Sequence, residues 1–364
     1  MVSKKNDNSM VNYAGKLAIA ALLGIAAPAG ALAQGVTPDF KGEELVVQTL
    51  TGSAGRFFEK EIAKDFEGKY NAEIVMVQSL TSDMVAKMRA NAGYQQDADV
   101  WMGVETGAVI LDKEHLVEPM TEGGVPNLTK VIPGARKKGD GFVNFVLASM
   151  CIAYNTEKLK TTDLPKSWTD LADPKYKGRL LLPAANSVFA TTLMTKYADS
   201  PGWNYDSIDP AIAALKKVTP NVLTYWTGYD QLFNLMNSGQ AWLAVTAADR
   251  VIDQALKGAP VACAYPEEGT VFIANSVGIS KGTKHKKLAE AFVNHLLSDE
   301  VQKRMSDVLG MGPVVEGVNL TPQVKAMLPQ AKAAAQSTSP DWEKIAARQA
   351  QWTDRYVREV VGNR

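Results

Sequence analysis

From residue 44 onward the chain alternates two hydrophobic patterns. "ELVVQTL" (44–50) is a short run of β-branched and apolar residues, the pattern of a buried strand. Phe57, Phe58, Ile62 and Phe66 follow at helical spacing with charges between them, and Gly68 marks a stop. "AEIVMVQ" (72–78) predicts a second strand. "TSDMVAKMRANAG" (81–93) predicts a second helix capped by Thr81 or Ser82, and "ADVWMG" (98–103) a third strand closed by the turn "VETG". A β-α-β-α-β series of this kind implies parallel pairing with right-handed crossovers.

The middle of the chain repeats the theme. "FVNFVLASMCIAYN" (142–155) is long enough for one extended strand or two in line. "GRLLLP" (178–183), "NVLTYW" and "QAWLAVTAAD" (240–249) predict further strands, with helices from about Val188 and through "TGYDQLFNLMNSG". After Arg250 come a short helix, the strand "VACAYP", the turn "EEGT" and the apolar "VFIANSVGIS". "HKKLAEAFVNHLLSDEVQKRMSDV" reads as one long amphipathic helix, and a tail helix starts near Trp342. There is no internal repeat.

The first residues carry a different pattern. Lys4, Lys5 and Lys16 precede an apolar, small-residue stretch that ends Ala31-Leu32-Ala33, the order of a secretory leader cut after Ala33. The alternative is a membrane anchor, but the run is short for a span and is interrupted by Pro28 and Gly30. The length of 364 residues suggests two domains or lobes. Lys plus Arg and Asp plus Glu both number 39, so no basic excess points to nucleic acid. Cys151 and Cys263 sit in apolar, strand-like runs, either as a bridge or as two buried thiols.

Four turns share one design: a buried strand ends, small or polar residues follow, and a helix begins. They are Thr51–Arg56, Glu105–Gly107, Ala185–Ser187 and Tyr225–Asp230. Helix starts present unpaired N–H groups and partial positive charge, and in open α/β sheets ligands bind beyond the carboxyl ends of strands. Each turn alone is explained by capping; four together suggest a cleft. Enzyme motifs do not fit these turns. A nucleophile elbow at Ser53 has Gly55 after it but Thr51 where the first glycine belongs, and none of His115, His285 and His295 lies in such a turn. A phosphate-binding G-x-x-x-x-G-K-[ST] run and an H-E-x-x-H pair are both absent from the sequence. Glu267-Glu268 reads as solvated turn charge. No pattern calls for a cofactor.

Three blocks in order carry a resemblance. They are "SMCIAYNTEKL" with "SWTDLADPKYKGRLLLP", "VFIANSVGISKGTKHKKLAEAFVNHLLSDEVQKRM", and "PDWEKIAARQAQWTDRYVREV". In this order, behind a leader, the chain resembles the periplasmic solute-binding proteins of ABC importers, in the spermidine/putrescine-receptor branch. The resemblance implies an α/β chain with the two-lobe, type II periplasmic-binding-protein fold. Each lobe would be a mixed sheet flanked by helices, with a ligand cleft between them. Lobe 1 would comprise 34–147 and 264–312, and lobe 2 would comprise 148–263 and 313–364. Crossings are expected near 147–150, 260–264 and 310–315, and the tail helix should pack on lobe 2. Both cysteines would then lie near the hinge strands, within reach of each other. The implied partners are a small-molecule ligand and a membrane permease. The implied product is a periplasmic monomer without a catalytic or metal centre.

The resemblance also directs attention to a ligand set. Thr51, Ser53, Glu105 and Thr106 are the candidates on the first lobe, and Ser187, Tyr225, Trp226, Asp249 and Arg250 on the second. Trp101, Tyr229, Trp203 and Phe272 add aromatic faces, of which Trp101 and Phe272 are equally readable as core, and Arg56 is a second anion contact or an exposed helix residue. Arg250 offers a two-pronged donor for a carboxylate while Asp249 can meet an amine. Asn275 stands where polyamine receptors tend to carry an acidic residue. These features favour an amino-acid or ω-amino-acid ligand over a pure polyamine; the alternative is an ion pair without a ligand role. Ferric receptors of the same superfamily use adjacent tyrosines, and no such pair occurs. An exported enzyme using Asp249 or Glu105 as base, or a sensor subunit on the same fold, are the readings from other classes.

Overall fold

The computed structural model describes residues 37–133, 135–136, 141–197, 204–329 and 340–363. The leader expected over 1–33, Trp203 and the side chain of Ser53 lie outside the described residues. The first strand, β1 (Glu43–Thr49), runs into α1 (Gly52–Phe57), a π-helical turn Phe58–Ala63 and α2 (Lys64–Tyr70). Then come β2 (Ala72–Gln78), α3 (Thr81–Ala90), β3 (Val100–Val104), α4 (Glu105–Lys113) and the short β4 (Val117–Glu118). Strand β1 pairs in parallel with both β2 and β3, as a β-α-β-α-β series requires. The expected turn at Glu105 is absent: α4 opens there directly. The N–H of Val104 donates to Thr81 Oγ1 at 3.1 Å, and Gly107 lets α4 approach α3 where a Cβ would meet the Thr81 methyl at 2.4 Å.

Strand β5 (Phe142–Asn155) is a single long strand that serves both halves of the sheet. After it come β6 (Leu180–Pro183), α5 (Val188–Thr195), α6 (Asp209–Val218), β7 (Val222–Trp226) and α7 (Tyr229–Asn237). The chain continues through β8 (Leu243–Ala247), α8 (Ala248–Leu256), β9 (Val261–Ala264), β10 (Phe272–Ser280), α9 (Lys286–Leu296) and α10 (Asp299–Leu309). The strand order is β2-β1-β3-β10-β5-β8-β6-β7, with β4 on β10 and β9 on β5. Residues Phe142–Ser149 of β5 pair antiparallel with β10 in the first lobe; Met150 onward pairs with β8 and β9 in the second.

Each lobe has its own core. The first is built around Phe58, Phe66, Phe145 and Phe292, and the second around Trp168, Tyr176, Trp352 and Tyr356, all fully buried. A third segment crosses where the Leu147 and Gly312 backbones exchange hydrogen bonds of 2.9 and 2.8 Å. Gly310 at φ +68° is required there, because a Cβ would meet Ile252 at 2.7 Å. Val314 and Val315 still pack in the first core, beyond the expected lobe limit at 312.

Two sequence expectations are corrected. The segment 286–309 is two helices, because Ser298 caps the second by accepting from the Val301 N–H. The strand expected over 240–249 ends at Ala247, so Asp249 and Arg250 occupy the first turn of α8. Val251 and Ile252 are buried on that helix, and an acidic residue in a first turn suits the helix dipole.

Cys151 and Cys263 form a disulfide between β5 and β9, with Cα atoms 5.7 Å apart and a separation of 112 residues. The loop-entropy model sets its contribution at up to about 4–5 kcal/mol. Replacing both cysteines by alanine should lower the urea midpoint within that limit and leave the far-ultraviolet circular dichroism unchanged. An unmoved midpoint would show that the bridge does not stabilise the fold.

His295 is buried against the rings of Phe66 and Tyr70 and lies 3.1 Å from Asp65. Burial drives its pKa down to about 4; Asp65 and Glu300 oppose the shift, and Lys69 and Arg304 add to it. The unfolded imidazole titrates near 6.5, so the unfolded state binds more protons between about pH 6.5 and 4. Stability present above pH 6.5 should therefore fall as pH drops through that window. In His295→Phe the thermal midpoint should depend less on pH from 7 to 5; an unchanged slope would remove His295 from the account.

Candidate functional site

A cleft of about 290 Å³ opens where the strand ends of the two lobes face each other. The first lobe supplies Thr51, Ser79, Leu80 and Thr81, and the hinge strands supply Ala148 and Asn275. The second lobe supplies Phe189, Tyr229, Asp249 and Arg250. Asn275 lies at a register shift between Asn275 and Ser276, the kind of irregularity that re-aims a side chain.

The stretch "LTGSAGR" shows why the first wall has this shape. Thr51 is extended and exposed, and its side chain makes no cap bond. Gly52 takes φ +73°, and Gly55 sits so close to the strand that a Cβ would lie 2.0 Å from the Leu50 carbonyl. The glycines therefore bring the helix start down onto the strand end and leave Thr51 facing the cleft.

On the opposite wall, α8 begins directly after β8 and places Asp249 and Arg250 beside each other, with Arg250 Nε 3.5 Å from Asp249 Oδ2. Asp249 is 6% exposed, and its Oδ1 has no hydrogen-bond partner among the described residues. Burial raises its pKa; the Arg250 charge and backbone N–H groups oppose that shift. The Arg250 guanidinium lies over the Tyr229 ring at 5.2 Å. Tyr229 in turn packs on Trp226 at 5.5 Å and Phe233 at 6.4 Å, and Phe189 reaches Trp226 at 5.8 Å. Burial, then the Asp249 charge, pushes the Tyr229 hydroxyl pKa up, so it stays protonated.

The structure brings Thr51, Asp249 and Arg250 to one cleft and places other sequence candidates elsewhere. Trp226 is core: its Nε1 donates to the Val245 carbonyl at 3.1 Å, and it supports the cleft through Tyr229 and Phe189. Tyr225 donates to the Val360 carbonyl at 3.3 Å under the tail helix. Ser187 caps α5 by accepting from the Phe189 N–H at 3.2 Å, and so fixes the residue that does line the cleft. Trp101 is fully buried in the first lobe, and Phe272 is half-buried on β10. Thr106 lines a separate groove between α4 and the tail residues Trp342 and Glu343.

Glu105 belongs to that tail contact. Its Oε1 accepts from Asn144 Nδ2 at 3.0 Å, and its Oε2 accepts from Trp342 Nε1 at 3.2 Å. Ser276 donates to Asn144 Oδ1 at 2.6 Å, so a polar chain links both hinge strands to the tail. Lys113 pairs with Glu343 beside it. The tail helix Gln349–Glu359 is held in the second core by Trp352 and Tyr356, so the tail spans both lobes. Glu267-Glu268 is likewise structural in part: Glu268 accepts from Ser167 Oγ and the Trp168 N–H, both at 2.7 Å.

Sequence reasoning missed Ser79, Thr81 and Phe189, and named Tyr229 only as an aromatic face. Residues 79–81 repeat the strand-then-helix pattern of the other four turns, which was the available signal. Among the described residues no group of His, Cys, Asp and Glu side chains converges as a metal site, and no helix is long and apolar enough to cross a membrane.

Two α/β lobes on a shared sheet, with a polar cleft at their strand ends, define a type II periplasmic-binding fold. The chain belongs to the bacterial extracellular solute-binding protein family, whose model matches residues 61–352. It is 27% identical over 284 residues to a probable ABC transporter periplasmic-binding protein of Sinorhizobium fredii, covering 72% of this chain and 73% of that one. It is 26% identical over 204 residues to the spermidine/putrescine-binding periplasmic protein of Escherichia coli, covering 54% of this chain and 58% of that relative. A solved spermidine/putrescine ABC transporter substrate-binding protein of Streptococcus pneumoniae shares the fold with a TM-score of 0.74 at 17% identity, over 89% of this chain and all of that one.

Glu105→Ala leaves the Asn144 amide and Trp342 Nε1 without their shared acceptor, a loss of about 1–3 kcal/mol. The thermal midpoint should drop while the order of preference among bound solutes stays the same. A changed preference with an unchanged midpoint would return Glu105 to the binding site.

Proposed function

We propose that this chain is the periplasmic receptor of an ABC importer, that it closes around a small zwitterionic solute, and that it hands the solute to a membrane permease. The solute class is an amino acid or ω-amino acid, with one ammonium and one carboxylate. Family membership and the relatives' names support the receptor role. The lobe partition read from the sequence, with crossings near 147–150, 260–264 and 310–315 as hinges, would allow the closing motion.

The observation that carries the ligand class is the Asp249–Arg250 pair, which brings both charges of a zwitterion to one wall. Arg250 presents a planar donor set to a carboxylate. Asp249 stands beside it on the same wall and carries the opposite charge for an ammonium. Thr51, Ser79, Thr81 and Asn275 supply neutral hydrogen bonds from the other side of the cleft. Contacts made from both lobes at once favour the closed state by the ligand's differential affinity for it.

A polyamine fits this wall less well, although several relatives bear spermidine/putrescine names. The Tyr229 face that would hold an ammonium already carries the Arg250 guanidinium, and a second cation there meets like charge. Asn275 adds no negative charge.

A thermal-shift and calorimetric screen against amino acids, ω-amino acids, diamines and organic acids tests the class. Zwitterions should raise the midpoint by mass action. Arg250→Ala should weaken their binding roughly 10–100-fold while leaving any diamine affinity unchanged. Stabilisation by diamines alone, unaffected or improved in Arg250→Ala, contradicts the proposal.

A further inference from the structure

A second cavity of about 260 Å³ adjoins the cleft. The two share Ala54, Asp249, Arg250 and Met311, so the acid–base pair stands on the partition between them. Their linings differ in kind. Beyond Asp249 and Arg250 the first cavity offers only neutral groups, whereas the second adds Arg56, Lys60, Glu61 and Asp253.

The lining holds three cations and three carboxylates, and with Lys257 beside it counted against Asp253 one cation is left in excess. Asp253 is held by Lys257 at 2.7 Å, and Asp249 lies against Arg250 at 3.5 Å. That leaves Arg56 and Lys60 against Glu61. Arg56 and Lys60 come from the first lobe, and Arg250 comes from the second. A solute held by Asp249 and Arg250 that reaches Arg56 and Lys60 therefore touches both lobes. The cavity floor is apolar, from Phe57 and Met311, and suits a methylene stem leading to such a group.

We infer that the second cavity is an anion subsite, and that the imported solute is an extended amine carrying a further, terminal anionic group. This rests on the zwitterion reading above and deepens it. The ammonium and first carboxylate engage Asp249 and Arg250, the stem passes Met311, and the terminal group meets Arg56 and Lys60. A second carboxylate and a phosphonate share this chemistry.

The test is a calorimetric comparison of matched solutes on wild type, Arg56→Ala and Lys60→Ala. One series is ω-amino monocarboxylates. The others are the same chains carrying a second terminal carboxylate or a terminal phosphonate. In wild type the added anion should tighten binding roughly 10-fold or more, and the arm with the larger gain identifies the group. Arg56→Ala should erase most of that gain and leave monocarboxylate affinity within about 2-fold. Lys60→Ala should erase a smaller part. If the added anion brings no gain in wild type, the subsite is overturned while the zwitterion reading stands. If Arg56→Ala weakens both series equally, Arg56 closes on Asp249 or Asp253 as an interlobe ion pair and the subsite is again overturned. If wild type binds no amino carboxylate of any series, both readings fall.

Discussion

The molecule depends on one strand satisfying hydrogen bonds in two half-sheets. Strand β5 pairs with β10 as far as Ser149, with β8 from Met150 and with β9 from Ile152, so the lobes share a backbone while each has its own core cluster. A buried backbone group must be paired, and here the pairing changes partner within a single residue step. The cleft forms beside that step, lined by Ala148 and Asn275 of the central strands and by the elements that leave the two half-sheets.

Around the hinge the structure separates holding from binding. The disulfide clamps β5 to β9, and the polar chain Ser276–Asn144–Glu105–Trp342 ties the hinge strands to the tail. Neither reaches the cleft. The second-lobe wall of the cleft is made instead by Asp249 and Arg250 in the first turn of α8, backed by the aromatic stack of Tyr229, Trp226 and Phe233. A carboxylate buried to this degree costs free energy unless something meets it, and the side chain that does so here is Arg250, itself on the cleft. That arrangement stores polar potential for a guest.

The lobes and most strands were legible because buried strands and amphipathic helices differ in period, and β1 to β3 follow that contrast closely. The site was legible where it depends on local sequence. Thr51 after a strand, and an acid beside an arginine after another, line the cleft. What was not legible depends on distant partners. Glu105 looks like a free carboxylate until Trp342 arrives from 237 residues away, and Tyr225 looks like a ligand ring until the tail carbonyl of Val360 accepts from it. The strand–helix boundary at Ala247 was blurred because consecutive alanines suit either state, and Ser298 breaks a helix whose apolar period runs on past it.

The central claim is that a solute bridges the lobes and draws them together. Small-angle scattering on the disulfide-intact protein, with and without its tightest-binding zwitterion, measures this directly. The account predicts a smaller radius of gyration when the solute is present, and no such change for Arg250→Ala at the same concentration. An identical scattering curve for wild type with saturating solute would contradict it.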